Sequence, residues 1–305
     1  TERLVDVARM YYEQDRTQSE IADRYGISRP MVSKLLKEAR DRGIVTIRIN
    51  APKGESGGAP SLMELVGRCF GIYDGVAVPG GPNDQTTNEA VAEAAISYLS
   101  ELGGASLGIG WGHIIGDVVK HMEQKAKLVP IGTFVCPLIG NGGVGLKNYH
   151  SNELVRSIAE HSGAQPRFIY SPACVLSEQE LKLTRELDSY HEIYHVWEKL
   201  DVALVNIGNF PSVPDFASEA RYGDLLIRQK AVGRILNYFM DSQGHIIRSD
   251  TDYAIQIPLE LLTRTRHVVG ICSANTSPKA FRGALKTGYL KHFIAPEHVV
   301  REALE

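Results

Sequence analysis

Arg29, Lys34, Lys37 and Arg48 bring four cations into one short stretch of chain, around Pro30, Met31 and Ser33. A guanidinium can meet both acceptors on a guanine edge and an ammonium suits a phosphate, so this grouping has the chemistry of a polyanion-docking face. Far from it lie three segments rich in glycine or small polar residues: 108–112 (Gly-Ile-Gly-Trp-Gly), 140–145 (Gly-Asn-Gly-Gly-Val-Gly) and 273–279 (Ser-Ala-Asn-Thr-Ser-Pro-Lys). Backbone amides unobstructed by side chains can approach an anion or a hydroxyl-rich ligand. The segments supply Gly110, Trp111, Gly112, Gly140, Asn141, Gly142, Asn275 and Lys279 as candidate ligand-binding residues, and Asn152 and Glu153 follow the second of them. Trp111, set among glycines, is placed to stack on a sugar ring. Any one such loop reads equally well as a tight turn; three at equivalent strand ends point to binding.

Other chemistries are excluded. The 108–112 loop is no dinucleotide fingerprint, because His113 stands where the last glycine would be needed. Cys69, Cys136, Cys174 and Cys272 are far apart and form no CxxC pair, which argues against a zinc site and a disulfide framework. His150, His161 and His195 have neither triad nor metal-ligand spacing. No metal and no cofactor is expected. The chain has 305 residues, 43% hydrophobic and 23% charged, which fits about two soluble globular domains. It has no apolar run of about 18 residues and its first ten are charged and amphipathic, so neither a membrane span nor a signal peptide is expected and the cytoplasm is the natural compartment.

The formal net charge of -3 conceals an asymmetry. Residues 1–50 carry ten Lys/Arg against eight Asp/Glu, and within 28–48 six cations face only Glu38 and Asp41. A local basic surface is what docking to nucleic acid requires.

The elements that must position the cations follow from spacing. Leu4, Val5, Ala8, Tyr11 and Tyr12 form the apolar stripe of a first helix ending near Asp15. Thr17-Gln18-Ser19-Glu20 is a capping box that starts a second helix, with Ile21, Ala22 and Tyr25 inward and Gly26 as its stop. Ser28 is the N-cap candidate of a third, with Pro30 in its first turn and Val32, Leu35, Leu36 and Ala39 buried. Val45, Ile47 and Ile49 alternate with Thr46 and Arg48 as a short strand in the position of a wing. Two helices about a glycine turn, the second capped and basic, predict a winged helix-turn-helix that lays its third helix in the major groove. Its DNA-contacting candidates are Gln18, Ser28, Arg29, Pro30, Met31, Ser33, Lys34, Lys37 and Arg48. Arg29, at the N-terminal end of that helix, suits base-edge readout, and Lys34, Lys37 and Arg48 suit phosphates.

The expected domains are 1–50, a linker over 51–60, and 61–305. In the third, strands are predicted near 76–78, 105–109, 131–136, 167–170, 202–207, 267–272 and 290–295, and helices over 89–102, 114–124, 152–161, 181–197, 233–240 and 279–286. This alternation predicts an α/β domain with a largely parallel sheet, whose ligand lies beyond the carboxyl ends of the strands.

The whole chain resembles the SorC/DeoR type of sugar-binding transcriptional regulators. The resemblance rests on Tyr11-Tyr12, Thr17 to Ala22 and Ser28 to Leu36. In the large domain it rests on Gly110-Trp111-Gly112, Asp201 to Gly208, Ala231-Val232-Gly233 with Asp241 to Gly244, and Lys279 with Gly283-Ala284-Leu285. It implies an effector domain like the ribose-phosphate isomerase and glucosamine-phosphate deaminase fold. It also implies a homo-oligomer, dimer or tetramer, on operator DNA, with affinity set by a sugar, polyol or sugar phosphate, and it adds Gly208, Arg234 and Asp241 to the effector-binding candidates. The chain departs from the family in two places: Ala274-Asn275-Thr276 replaces the usual Ala-Gly-Gly, and Arg234 stands where an acidic residue commonly follows glycine. Asn275 and Thr276 offer neutral groups suited to hydroxyls, whereas Arg234 and Lys279 offer positive charge. An alternative reading is a sugar-phosphate isomerase-like enzyme fused to a DNA-binding module, because fold does not fix function. Against it, Glu153, Asp241 and Lys279 form no recognisable catalytic pattern.

Overall fold

The computed structural model describes residues 2–12, 14, 16–41, 45, 60–125, 128–143, 145, 147–212 and 222–305, and the chain divides into two compact units, 1–59 and 60–305.

In the first unit, α1 (Glu2–Tyr12), α2 (Gln18–Tyr25) and α3 (Arg29–Asp41) enclose a small core of Val7, Met10, Ile21, Ala22, Val32 and Leu36. Ala39 is fully buried beside it, and Leu4 and Ala8 are buried on α1, whereas Val5, Tyr11 and Tyr12 are only half-buried. Thr17 caps α2 reciprocally: the Glu20 amide donates to its Oγ1 (3.2 Å) and its own amide donates to Glu20 Oε2 (2.8 Å). Gly26 takes φ 60°, and its amide donates back to the Ala22 carbonyl. The Ser28 carbonyl accepts the Met31 and Val32 amides that open α3. Val45 has no regular structure and donates to the Ala39 carbonyl. The expected wing over 46–49, with Arg48, lies outside the described residues.

The second unit runs α4 (Leu62–Phe70), β1 (Gly75–Val78), α5 (Asp84–Glu101), β2 (Leu107–Ile109), α6 (His113–Glu123), β3 (Phe134–Pro137), α7 (Ser151–Ser162), β4 (Gln165–Pro166), α8 (Glu178–Glu186), α9 (Asp188–Trp197) and β5 (Val202–Asn209). It continues with α10 (Leu225–Arg228), β6 (Gly233–Ile235), β7 (Tyr238–Met240), α11 (Leu259–Arg264), β8 (His267–Ile271), α12 (Pro278–Lys286), β9 (His292–Pro296) and α13 (Glu297–Leu304). Among the described residues the main strands lie in the order β1-β9-β8-β5-β2-β3-β4, every neighbouring pair parallel. Side chains alternate between two apolar layers. Ala203 and Val205 join Phe281, Val299 and Trp197 on one face, while Val202 and Leu204 join Val91, Ile115 and Leu154 on the other. Burial on both faces explains why these strands read as nearly continuous apolar runs.

The topology fixes where a crevice opens. From β2 the chain proceeds outward through β3 and β4 to one edge; β5 then returns beside β2, and β8 and β9 build toward the other. The loops after β2 and β5 therefore diverge to opposite faces, leaving space beyond their carboxyl ends.

Three expected elements are corrected. Residues 233–240 form an antiparallel hairpin, not a helix. The last three residues of β5 outrun its parallel partners and pair Ile207 with Ile235, Gly208 with Arg234 and Asn209 with Gly233. Leu236 at φ 52° opens the two-residue turn from β6 to β7. The expected helix over 181–197 is two helices, broken where Leu187 is extended (φ -69°, ψ 139°). Beyond Pro166 the Arg167 amide makes one more bond to the neighbouring strand, at the Val135 carbonyl (2.8 Å), and 168–170 leave it; the Ile169 amide is taken by Asn152 Oδ1 (3.0 Å) instead.

Candidate functional site

On α3 the residues Arg29, Pro30, Met31, Ser33, Lys34 and Lys37 are exposed, and Met31 keeps 47% of its surface open although it is large and apolar. Ser28 is exposed just ahead of the helix. Arg29 and Gln18 line one concave surface with Tyr11, Tyr12, Arg16, Thr17 and Ser19, so the N-terminal ends of α2 and α3 converge there. Glu20 lies beside it with its carboxyl held below the usual carboxylate range, first by the Thr17 amide and then by the Thr17 hydroxyl.

In the second unit a cavity of about 760 Å³ opens where the strand order reverses. Of the sequence candidates, Gly112, Gly208, Arg234 and Asn275 line it. Gly112, at φ 110°, is the N-cap of α6 and contributes no side chain, leaving the first turn of that helix open to the cavity. A Cβ on Gly208 would stand 3.0 Å from Arg234 Nε, so the glycine makes room for that guanidinium. Arg234 is buried, and its Nη1 donates to Asn237 Oδ1 (2.8 Å) and the Leu236 carbonyl (3.3 Å), which fixes it against the hairpin turn.

Other candidates support the walls from behind. Gly110 lets β2 approach Leu236 and Asn206, to which a Cβ would come within 2.9 and 3.2 Å. Trp111 is 1% exposed, with Gly142 against its ring and Tyr149 edge-on at 5.6 Å, so the structure places it in the core rather than on the cavity surface. Gly140 passes so close to Pro172 that a Cβ would meet its carbonyl oxygen at 2.2 Å. Asn141 and Asn152 clasp backbone: each donates to the Ile169 carbonyl, and Asn141 Oδ1 accepts the Asn152 amide. Glu153 and Lys279 are exposed and do not line the cavity; Glu153 lies near Arg156 (3.9 Å). Asp241 accepts the Gln243 and His245 amides of its own turn; burial works against ionisation there, but these bonds prevail and hold its carboxyl below the usual range.

Apart from Thr276, which the sequence marks beside Asn275, the remaining lining was not singled out from sequence. Gln85, Asn88 and Glu89 come from the first turns of α5, and His113, Asp117, Lys120 and His121 from one stripe of α6, with Gln124 at its C-cap. The α6 stripe had a signal: polar residues at spacings of three and four on an otherwise apolar helix beginning at a glycine loop. Burial, reinforced by Glu89, raises the Asp117 carboxyl above its ordinary value although His113 and Lys120 pull it down. Asn206, Asn209 and Thr276 complete the floor and the α12 side. Asn206 is 6% exposed and its Oδ1 has no hydrogen-bond partner among the described residues.

Residues 59–305 match the family model described as "Putative sugar-binding domain", and residues 1–42 match "Sigma-70, region 4". The sorbitol operon regulator of Klebsiella pneumoniae is 30% identical to this chain over 94% of it and 92% of the relative. The chain belongs to the SorC/DeoR family of sugar-binding transcriptional regulators. Another family member, the deoxyribonucleoside regulator of Bacillus subtilis (strain 168), is 27% identical over 97% of this chain and 95% of its own. The crystal structure of the full-length Klebsiella regulator superposes with a TM-score of 0.73 at 27% identity, covering 100% of this chain and 98% of that one. As a SorC/DeoR family member, the chain is a DNA-binding transcriptional regulator whose helix-turn-helix precedes an α/β sugar-binding domain. Among the described residues no helix is long and apolar enough to cross a membrane.

Proposed function

We propose that this regulator acts in the cytoplasm as a homo-oligomer on the operator of a carbohydrate-utilisation operon, and that a sugar, polyol or sugar phosphate in the cavity sets its operator affinity. It acts by binding rather than catalysis; the relatives named above are both regulators. The observation that carries the reading is a polar cavity at the topological switch point, walled by Asn206, Arg234, Glu89 and Asp117, in the same chain as a helix-turn-helix with an exposed basic face.

Arg29 reads a base edge, Met31 offers an apolar surface to a thymine methyl, and Lys34 and Lys37 hold phosphates. Gln18, Ser28, Pro30 and Ser33 border that contact, and Arg48, outside the described residues, is assigned to a phosphate by its charge. One recognition helix reads too few bases to select an operator, so two copies on two half-sites are required, and operator symmetry mirrors that of the protein. Effector occupancy acts by binding one arrangement of the oligomer better than another, which is the only way a ligand shifts such an equilibrium.

Footprinting of the operator with and without a panel of free and phosphorylated sugars tests this. At least one compound changes the protein concentration for half protection; a panel that leaves it unmoved while the protein is folded and DNA-bound overturns the effector reading. Analytical ultracentrifugation checks the assembly, since a monomer with full operator affinity contradicts it.

A further inference from the structure

The cavity contains a loop that would make an anion seat if its amides were free. The segment after β8, residues 272–277, leads into α12 and lines the cavity through Ser273, Asn275 and Thr276. In a phosphate seat, consecutive amides at such a loop point at the ligand. Here protein oxygens already accept them. The Ser273 amide donates to Thr276 Oγ1 (2.9 Å), the Ala274 amide to Asn88 Oδ1 (2.7 Å) and the Ser277 amide to Asn209 Oδ1 (2.7 Å). The Thr276 amide donates to the Ser273 carbonyl (3.1 Å), and Pro278 has none to give. Asn209 Nδ2 also donates to the Asn275 carbonyl (2.9 Å), tying the loop to the end of β5. Of this run, among the described residues the Asn275 amide alone has no acceptor. Thr276 is 4% exposed, so its hydroxyl fills the loop instead of decorating it.

The rest of the cavity does not compensate a dianion. The open first turn of α6 is faced by Asp117, one turn further along the same helix, and by Glu89 of α5. Among the described residues these two carboxylates balance Lys120 and Arg234, the two fixed cations of the lining, and His121 is already engaged by Glu93 (2.7 Å). What the cavity offers in quantity is neutral amides and carboxylates: Gln85, Asn88, Gln124, Asn275, Glu89 and Asp117. Asn206 adds a buried primary amide whose Oδ1 lacks a partner among the described residues, a state that is unfavourable until something pairs with it. A hydroxyl both donates and accepts, so it satisfies an amide and a carboxylate alike; a phosphate oxygen only accepts.

We infer that the cavity takes a neutral polyhydroxylated compound, a free sugar or polyol, and that Thr276, Asn88 and Asn209 exclude a phosphate ester by occupying the amides it would need. This rests on the cavity being the effector site.

The test uses the full chain and matched pairs, ribose, fructose and glucitol each with its phosphate monoester, by calorimetry with operator release followed in parallel. Inorganic phosphate is titrated separately. In the wild type a free compound binds at least tenfold tighter than its ester, and inorganic phosphate gives no heat. Asn275→Gly/Thr276→Gly frees the Ser273 amide and clears the side chains beside the Asn275 amide, narrows that ratio at least tenfold and gains inorganic phosphate binding. Thr276→Ser, which keeps the hydroxyl, behaves as wild type and separates loss of the plug from loss of the fold. An ester that binds the wild type tenfold tighter, or inorganic phosphate bound by it, overturns the inference while leaving the effector site standing. Silence from every compound, in wild type and variants, removes the effector site and the inference together.

Discussion

On α3, Arg29, Met31, Ser33, Lys34 and Lys37 stand exposed on one helix of thirteen residues, whereas the cavity draws its walls from α5, α6, β5, β6 and the loop after β8 and keeps Asn206 and Arg234 buried. The difference teaches how function and stability are coupled in each place. An exposed side chain that contacts DNA makes few contacts with its own protein, so replacing it changes binding and little else. The cavity residues hold the sheet ends and loops together as well as facing the ligand. Substitutions there divide between those that damage the frame and those that change only what the cavity recognises.

The sharpest way to break that comparison is at Gly140. A Cβ there would meet the Pro172 carbonyl oxygen at 2.2 Å, and its nearest neighbours are all backbone of Pro172 and Ala173 rather than the end of a flexible side chain. Gly140→Val is expected to lower unfolding stability by about 2–4 kcal/mol, as overpacking of a tight backbone approach does. Gly145→Ala, in the same loop but with no atom within 4 Å of its Cβ, is expected to change stability by less than about 0.5 kcal/mol. Urea denaturation measures both, and equal effects would mean that the loop is not braced against Pro172. The counterpart on α3 is Arg29→Ala, which leaves stability unchanged. It reduces preference for the cognate operator over mismatched DNA by about 1–3 kcal/mol, the range for a bidentate guanine contact. Lys37→Ala weakens binding to all sequences and lowers the salt slope by about one. Competition binding over a salt series would refute the division of roles if the two variants behaved alike.

The same contrast explains what could be read in advance. Thr17, Glu20, Gly26 and Ser28 announce the helix-turn-helix because caps and turns are local, each decided by residues three or four apart. The parallel α/β order was equally legible from alternating apolar runs, and with it the rule that ligand lies beyond the strand ends. Gly112, Gly208, Arg234 and Asn275 were reachable for that reason. Trp111 was not correctly placed, because nothing in 108–112 reveals that Gly142 and Tyr149 close over its ring. Asn206 looks like one more strand residue until β2 is set beside β5. The hairpin at 233–240 was lost to a pairing with the far end of β5, which overrode the local pattern.

Asn206 also separates recognition from frame. Its amide is buried and its Oδ1 has no partner among the described residues, so Asn206→Leu removes a desolvated polar group without breaking a bond seen there. Stability is expected to stay within about 1 kcal/mol of wild type or to rise. Effector response is expected to weaken at least tenfold, about 1.4 kcal/mol, while affinity of the effector-free protein for operator is unchanged. A variant that is strongly destabilised, or that responds to effector normally, would show Asn206 to be part of the frame.

A modest effect belongs to the cap that orients α2 under the DNA-facing surface. Thr17→Ala removes the hydroxyl that accepts the Glu20 amide, at a cost of about 1 kcal/mol. The Glu20 carboxylate returns the favour by accepting the Thr17 amide and hydroxyl, which keeps its pKa below the usual range in the folded chain. A group whose pKa is depressed on folding contributes stability that is fully present above the unfolded value and fades as pH falls through the folded one. The first unit should therefore lose part of its helix stability on acidification from the ordinary glutamate range downward, and Glu20→Gln should flatten that dependence. Thermal melts of residues 1–42 within the full chain, followed by amide exchange at Ile21 and Ala22, give the readout. An unchanged pH slope in Glu20→Gln would mean that the carboxylate caps nothing in solution, and that Thr17 alone starts α2.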